Sequence, residues 1–168
     1  MKTRFHVVFV CMGNICRSPT AHGVLRRKLL DAGLATAVTV DSAATHDYHT
    51  GAAPDRRSQS HALARGYQLG DLRARPLADV DFERADLLLV MDDDNLAATL
   101  QRCTPEQRHK LRHLTDFCRH HRSVNVPDPY TGGPADFERV LDLVEDACDG
   151  LLDHLRRELS PPRPGPPR

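Results

Sequence analysis

The sequence predicts an α/β fold built on an open, mostly parallel sheet with helices on both faces. Three observations carry this. Short runs rich in Val and Leu, such as Phe5 to Val10 and Asp86 to Met91, lack the polar alternation of a half-exposed strand. Apolar stripes at helical spacing follow them, and Gly, Pro or Asp stand at most boundaries.

Taken in order, Phe5 to Val10 reads as a strand buried on both faces. Ser18 is then expected to cap a helix whose first residue is Pro19, where a missing N–H costs nothing. Ala21, Val24, Leu25 and Leu29 form its apolar stripe, Arg26, Arg27 and Lys28 its wet side, and Gly33 its stop. A second unit follows, with a strand near Val38 to Ser42, a polar loop from Thr45 to Pro54, and a helix from Asp55 to Arg65 ended by Gly66. Asp86 to Met91 is the next strand and leads through Asp92 to Asp94 into a helix reaching Leu100. Leu111 to Leu114 makes a last short strand. Phe137, Val140, Leu141, Val144, Leu151, Leu152 and Leu155 trace one face of a long final helix. Ligands of such sheets bind beyond the carboxyl ends of the strands, which directs attention to the loop after Val10.

The chain of 168 residues, 40% hydrophobic, suits one domain able to bury a core unaided. Lys plus Arg and Asp plus Glu both total 23, so no global charge draws it to nucleic acid or to a membrane surface. No apolar run nears the roughly 20 residues that span a bilayer. The five cysteines make no even disulfide framework, and Lys2, Arg4 and His6 interrupt any secretory leader, so a cytoplasmic location is expected.

The loop VFVCMGNICRSPTA, Val8 to Ala21, is where chemistry concentrates. Five residues separate Cys11 from Arg17, and so tight a loop can aim successive N–H groups at one anion, aided by the positive end of the following helix. Gly13 is expected to supply a backbone conformation closed to other residues. Arg17 offers a planar fork matched to two phosphate oxygens. With these neighbours Cys11 is expected to be a thiolate that attacks phosphorus in line and forms a phosphocysteine. Ser18 would donate a hydrogen bond to Cys11, and Asn14 would brace the loop from within through Ser42. Far downstream, VPDPYTGG holds Asp128 between Pro127 and Pro129, a stiff loop able to present a general acid and then a general base.

On these residues the chain resembles the low-molecular-weight protein tyrosine phosphatase family. CMGNICRSP from Cys11 to Pro19 is similar to that family's signature and DPY from Asp128 to its acid loop. DSAAT from Asp41, RPL from Arg75 and MDDDN from Met91 extend the likeness over about 150 residues. The resemblance implies a Rossmann-like three-layer sandwich with four parallel strands in the order 2-1-3-4, working without metal or other cofactor. It implies Cys11, Arg17 and Asp128 as catalytic residues. Met12, Gly13, Asn14, Ile15, Cys16, Ser18, Tyr48 and Tyr130 are implied as substrate-binding, with Ser42 and Asp92 in support. Tyr48 and Tyr130 are expected to sandwich the ring of phosphotyrosine in a protein or peptide, and phosphate or other oxyanions to inhibit. Residues 1–159 would form the phosphatase domain and 160–168 a Pro-rich, disordered tail. Ala44 stands where the family usually has glycine, and Thr131 where many members have a second aromatic residue.

Other chemistries fit less well. Arsenate reduction needs relay cysteines mid-chain, and residues 80 to 92 hold none. Phosphoarginine hydrolysis would favour threonine where Ile15 stands. The spacing of His113, Cys118, His120 and His121 matches no zinc pattern. Cys16 reads either as a small buried residue or as a partner that traps oxidised Cys11 in a reversible disulfide.

Overall fold

The computed structural model describes residues 2–159 and 166–167. Four parallel strands, β1 (Phe5–Cys11), β2 (Val38–Ala44), β3 (Leu87–Val90) and β4 (Leu111–His113), lie in the order β2-β1-β3-β4. The order reverses at β1, whose carboxyl end is therefore the topological switch point, and Cys11 is its last residue.

Strand alternation divides the core in two. Phe5, Val7, Phe9 and Cys11 point to the side covered by α1 (Arg17–Asp31) and α5 (Pro134–Leu159). Val8 and Val10, with Leu88 and Val90, face Leu77, Ala85 and Phe82 of α3 (Asp79–Arg84), flanked by Leu96 of α4 (Asp93–Leu100). Val7 to Val10 are wholly buried, and each such side chain contributes about 1.5–3 kcal/mol. The last helix to place, α2 (Arg56–Ala64), packs against α5 and α1 near the sheet's carboxyl edge.

The expected elements recur with local shifts. β2 runs on to Ala44 because Cys11 and Ala44 are register partners. Gly33 and Gly66 end α1 and α2 with φ of 72° and 91°, values that favour glycine. The start of α1 differs from expectation: it begins at Arg17, with Cys16 at the cap and no side-chain capping bond. Ser18 cannot cap because it lies inside the first turn, with its hydroxyl engaged by Asn14 and Cys11. The α3 turn went unforeseen, being too short to show a period. Asp81 holds it by accepting from the Ala78 N–H at 2.8 Å. On α5 the stripe also takes in Leu143, Ala147 and Cys148, while Leu152 is half-buried. Most of the expected tail, 160–165 and 168, lies outside the described residues. Among those described, no helix is long and apolar enough to cross a membrane.

Candidate active site

β1 delivers Cys11, 3% exposed, into a loop that turns back on itself before α1. The loop's carbonyls are tied outward. Those of Cys11, Met12 and Ile15 accept from the N–H groups of Thr45, His46 and Asp55 at 2.9, 3.0 and 2.8 Å. Among the described residues no acceptor takes the N–H groups of Met12 to Cys16, which leaves that donor set for an anion.

Asn14, not Gly13, carries the unusual backbone. Its φ is 57°, whereas Gly13 stays out of the left-handed region. Asparagine tolerates this conformation better than most residues. Its side chain locks it in place: Nδ2 donates to Ser18 Oγ at 2.7 Å and Oδ1 accepts from the Arg75 N–H at 3.1 Å. Gly13 matters instead for space, since a Cβ there would lie 2.9 Å from Cδ2 of His49. Ser18 Oγ is 3.0 Å from Cys11 Sγ, and as Asn14 donates into that oxygen, the Ser18 proton is free to point at sulfur.

Arg17 is 3% exposed, and its Nη1 is spent on Asp92 Oδ2 at 2.6 Å and the Val126 carbonyl at 3.1 Å. Asp92 uses its other oxygen to cap α4 through the Asn95 N–H at 2.7 Å, so helix and guanidinium are fixed together. Burial opposes the charge on Arg17, but Cys11, Asp92 and Asp128 outweigh it and raise its pKa. Asp128 comes from the other side of the cleft with Oδ2 3.7 Å from Arg17 Nη2, and its Oδ1 accepts from the Tyr130 N–H at 3.1 Å. The loop before it is anchored twice. The Val126 N–H donates to the Met91 carbonyl at 2.7 Å, and buried Asp146 of α5 accepts from the N–H groups of Arg119, His120 and His121.

The resulting cleft, about 90 Å³, is lined by Cys11, Met12, Gly13, Ile15, Cys16, Arg17, His49, Asp128 and Tyr130. Burial pushes the Cys16 thiol up to about 12, with Asp55, Cys11 and Asp128 adding to the rise against a hydrogen bond from Ser58. The side chains of Asn14 and Ser18, implied as substrate-binding, are absent from that lining and are engaged with each other within the loop, and two further expected residues sit elsewhere. Ser42 Oγ pairs with His22 Nδ1 at 3.0 Å rather than with Asn14, which has turned toward Ser18 and Arg75. Tyr48 is 69% exposed, stacks on His46 at 5.2 Å and lies outside the cleft lining. His49 stands there instead, its ring centroid 6.5 Å from that of Tyr130. His22 is kept neutral because burial lowers its pKa to about 4. The sequence reading missed His49 and the Arg75 N–H: a lone histidine in a polar loop belongs to no motif, and a backbone donor leaves no residue-type signal. Among the described residues no group of three or more His, Cys, Asp or Glu side chains is placed to hold a metal ion.

What this fold and cleft define together is a class, the cysteine-dependent hydrolases of phosphate monoesters. A profile of the family described as low molecular weight phosphotyrosine protein phosphatase matches residues 6–161, and the chain belongs to that family. It is 40% identical over 159 residues to a low molecular weight protein-tyrosine-phosphatase of Streptomyces coelicolor, covering 92% of this chain and 96% of the relative. To the low molecular weight phosphotyrosine protein phosphatase of Homo sapiens it is 34% identical, over 88% of this chain and 93% of the other. A crystal structure of a protein tyrosine phosphatase from Entamoeba histolytica, with Hepes in its active site, superposes with a TM-score of 0.89 at 39% identity, over 92% of this chain and 98% of that one.

Proposed function

We propose that this chain hydrolyses phosphotyrosine in proteins or peptides, and small aryl phosphates, through a phosphocysteine on Cys11. The observation that carries the reading is the convergence of Cys11, Arg17 and Asp128 on one cleft at the switch point of the sheet. In the first step the Cys11 thiolate attacks phosphorus, the bond from phosphorus to the phenolic oxygen breaks, and protonated Asp128 gives its proton to that oxygen. The N–H groups of residues 12–16 and the helix start hold the equatorial oxygens as charge builds. Arg17 has Nη1 occupied, so its Nε and Nη2 edge is the one offered to two phosphate oxygens. In the second step a water gives its proton to Asp128 and attacks phosphorus, sulfur departs as thiolate under the Ser18 hydroxyl, and inorganic phosphate is released.

Ring recognition falls to Tyr130, with Met12, Ile15 and His49 completing the walls. Tyr48 is retained as a residue of the outer rim that meets flanking peptide. Phosphate and other tetrahedral oxyanions are competitive inhibitors, because they fill the same donor set. The five cysteines are free, which supports a reducing, cytoplasmic setting. The test is mass spectrometry of enzyme quenched during turnover of a phosphotyrosine peptide. A phosphoryl adduct on Cys11, absent in Cys11→Ser, is expected. Absence of any adduct, or faster turnover of a phosphoarginine peptide, overturns the reading.

A further inference from the structure

Arg57 lies outside the cleft lining, on the first turn of α2, yet it ties together the chain segments that build the cleft. Its Nε and Nη2 grip the two carboxylate oxygens of Asp55, each at 3.1 Å. The same Nη2 donates to the Tyr130 carbonyl at 2.9 Å. Its Cζ sits over the rings of Phe137 and Tyr130, 4.7 and 5.7 Å from their centroids. On one side, the Asp55 N–H holds the Ile15 carbonyl at 2.8 Å, so this grip reaches the phosphate loop. On the other, the Tyr130 N–H holds Asp128 Oδ1 at 3.1 Å, so it reaches the acid. Hydrogen bonds and peptide links thus run unbroken from Ile15 through Asp55, Arg57 and Tyr130 to Asp128.

We infer that Arg57 is a positioning residue, holding Tyr130 so that its N–H aims the Asp128 carboxyl at the leaving oxygen above the phosphate loop. The inference rests on the proposed role of Asp128 as general acid. A mere staple for the fold would not need this geometry. Arg57 is 45% exposed and Asp55 13%, so solvent reaches the guanidinium and screens the pair. Asp55 also caps α2 through the Arg57 N–H at 2.8 Å, a bond that survives loss of the side chain. Asp128 itself is 44% exposed, with the Tyr130 N–H as its short contact, so the carboxyl has few other restraints. The planar fork is what permits the simultaneous grip. A lysine ammonium would meet Asp55 or Tyr130 as a point charge without fixing their relative orientation.

The experiment measures kcat/KM over a series of aryl phosphates whose phenols range from good leaving groups, such as 4-nitrophenol, to poor ones, such as phenol and tyrosine. A well-placed acid matters most when the leaving group is poor. General acids contribute on the order of 100-fold or more in rate, and displacing one without removing it forfeits part of that. Arg57→Ala is therefore expected to lower kcat/KM about tenfold for the poor leaving groups and less than about threefold for 4-nitrophenyl phosphate. Competitive inhibition by inorganic phosphate should stay within about twofold, since Arg17 and the loop donors are untouched. Arg57→Lys should recover part of the loss, and Arg57→Ala combined with Asp128→Ala should be no worse than Asp128→Ala alone. A uniform loss across the series, weakened phosphate binding, or no loss overturns the assignment. Should Arg57→Ala fail to fold, Arg57→Lys is judged by the same slope. Asp128→Ala is the reference: if it does not steepen the leaving-group dependence, the acid role of Asp128 falls. If it does and the Arg57 variants do not, only the inference about Arg57 falls.

Discussion

Replacing Asn14 by alanine removes both the side chain and the backbone tolerance that shape the phosphate loop. Alanine held at φ near 57° costs roughly 1–2 kcal/mol more than a residue suited to the left-handed region. Loss of the bond to Ser18 Oγ costs about 1 kcal/mol, and the Arg75 N–H, left without its acceptor, about 1–3 kcal/mol. Asn14→Ala should therefore lower the unfolding free energy by about 3–6 kcal/mol. Asn14→Gly, which accepts the backbone but makes neither bond, should lose about 1 kcal/mol less. Urea titration of the three proteins measures both differences. The kinetic consequence runs through Ser18. Without the donor from Asn14 its hydroxyl can rotate away from Cys11 Sγ, so phosphocysteine should accumulate in rapid-quench samples. If Asn14→Ala lies within about 1 kcal/mol of the parent, or Asn14→Gly is no more stable than Asn14→Ala, the account of this loop as a strained turn locked by its own side chain is refuted.

Two further expectations concern protons and redox state. His22 has a folded pKa of about 4 against an ordinary 6.5, so the unfolded chain binds its proton first as pH falls. Its contribution is fully present above the unfolded value, is lost between about pH 6.5 and 4, and amounts to about 3 kcal/mol. His22→Gln, neutral throughout, should flatten the fall of the urea midpoint between pH 7 and 4. An unchanged pH dependence would show that His22 is not the group responsible. Cys16, its thiol pushed up to about 12, stays protonated at neutral pH and should resist iodoacetamide. After peroxide converts Cys11 to a sulfenic acid, attack by the Cys16 sulfur, whose proton leaves with the sulfenic hydroxyl as water, should form the disulfide, and dithiothreitol should restore activity. Equal recovery of Cys16→Ala after the same exposure would remove Cys16 from that protection.

The parts legible in the chain are those encoded by residue type at close range. The Val-rich β1, the helical stripes of α1 and α5, the glycine stops and the loop from Cys11 to Arg17 announce themselves because hydrophobic period and turn chemistry act over a few neighbouring residues. The distant Asp128, which the fold places in the cleft lining, could be picked out because prolines flank it and the cysteine loop calls for a proton donor. What tertiary structure alone decided are pairings across long sequence separations: Asp92 on Arg17, the Arg75 N–H on Asn14, His22 on Ser42, and Arg57 on the Tyr130 carbonyl. His49 rather than Tyr48 lines the cleft, its ring close over Gly13, a placement that residue type did not announce. Ser18 left its expected capping role because α1 starts at Arg17, which places it inside the first turn with its hydroxyl engaged by Asn14 and Cys11. Local chemistry names the candidate reactive atoms, but their directions follow from bonds that exist only once the sheet has brought distant segments together.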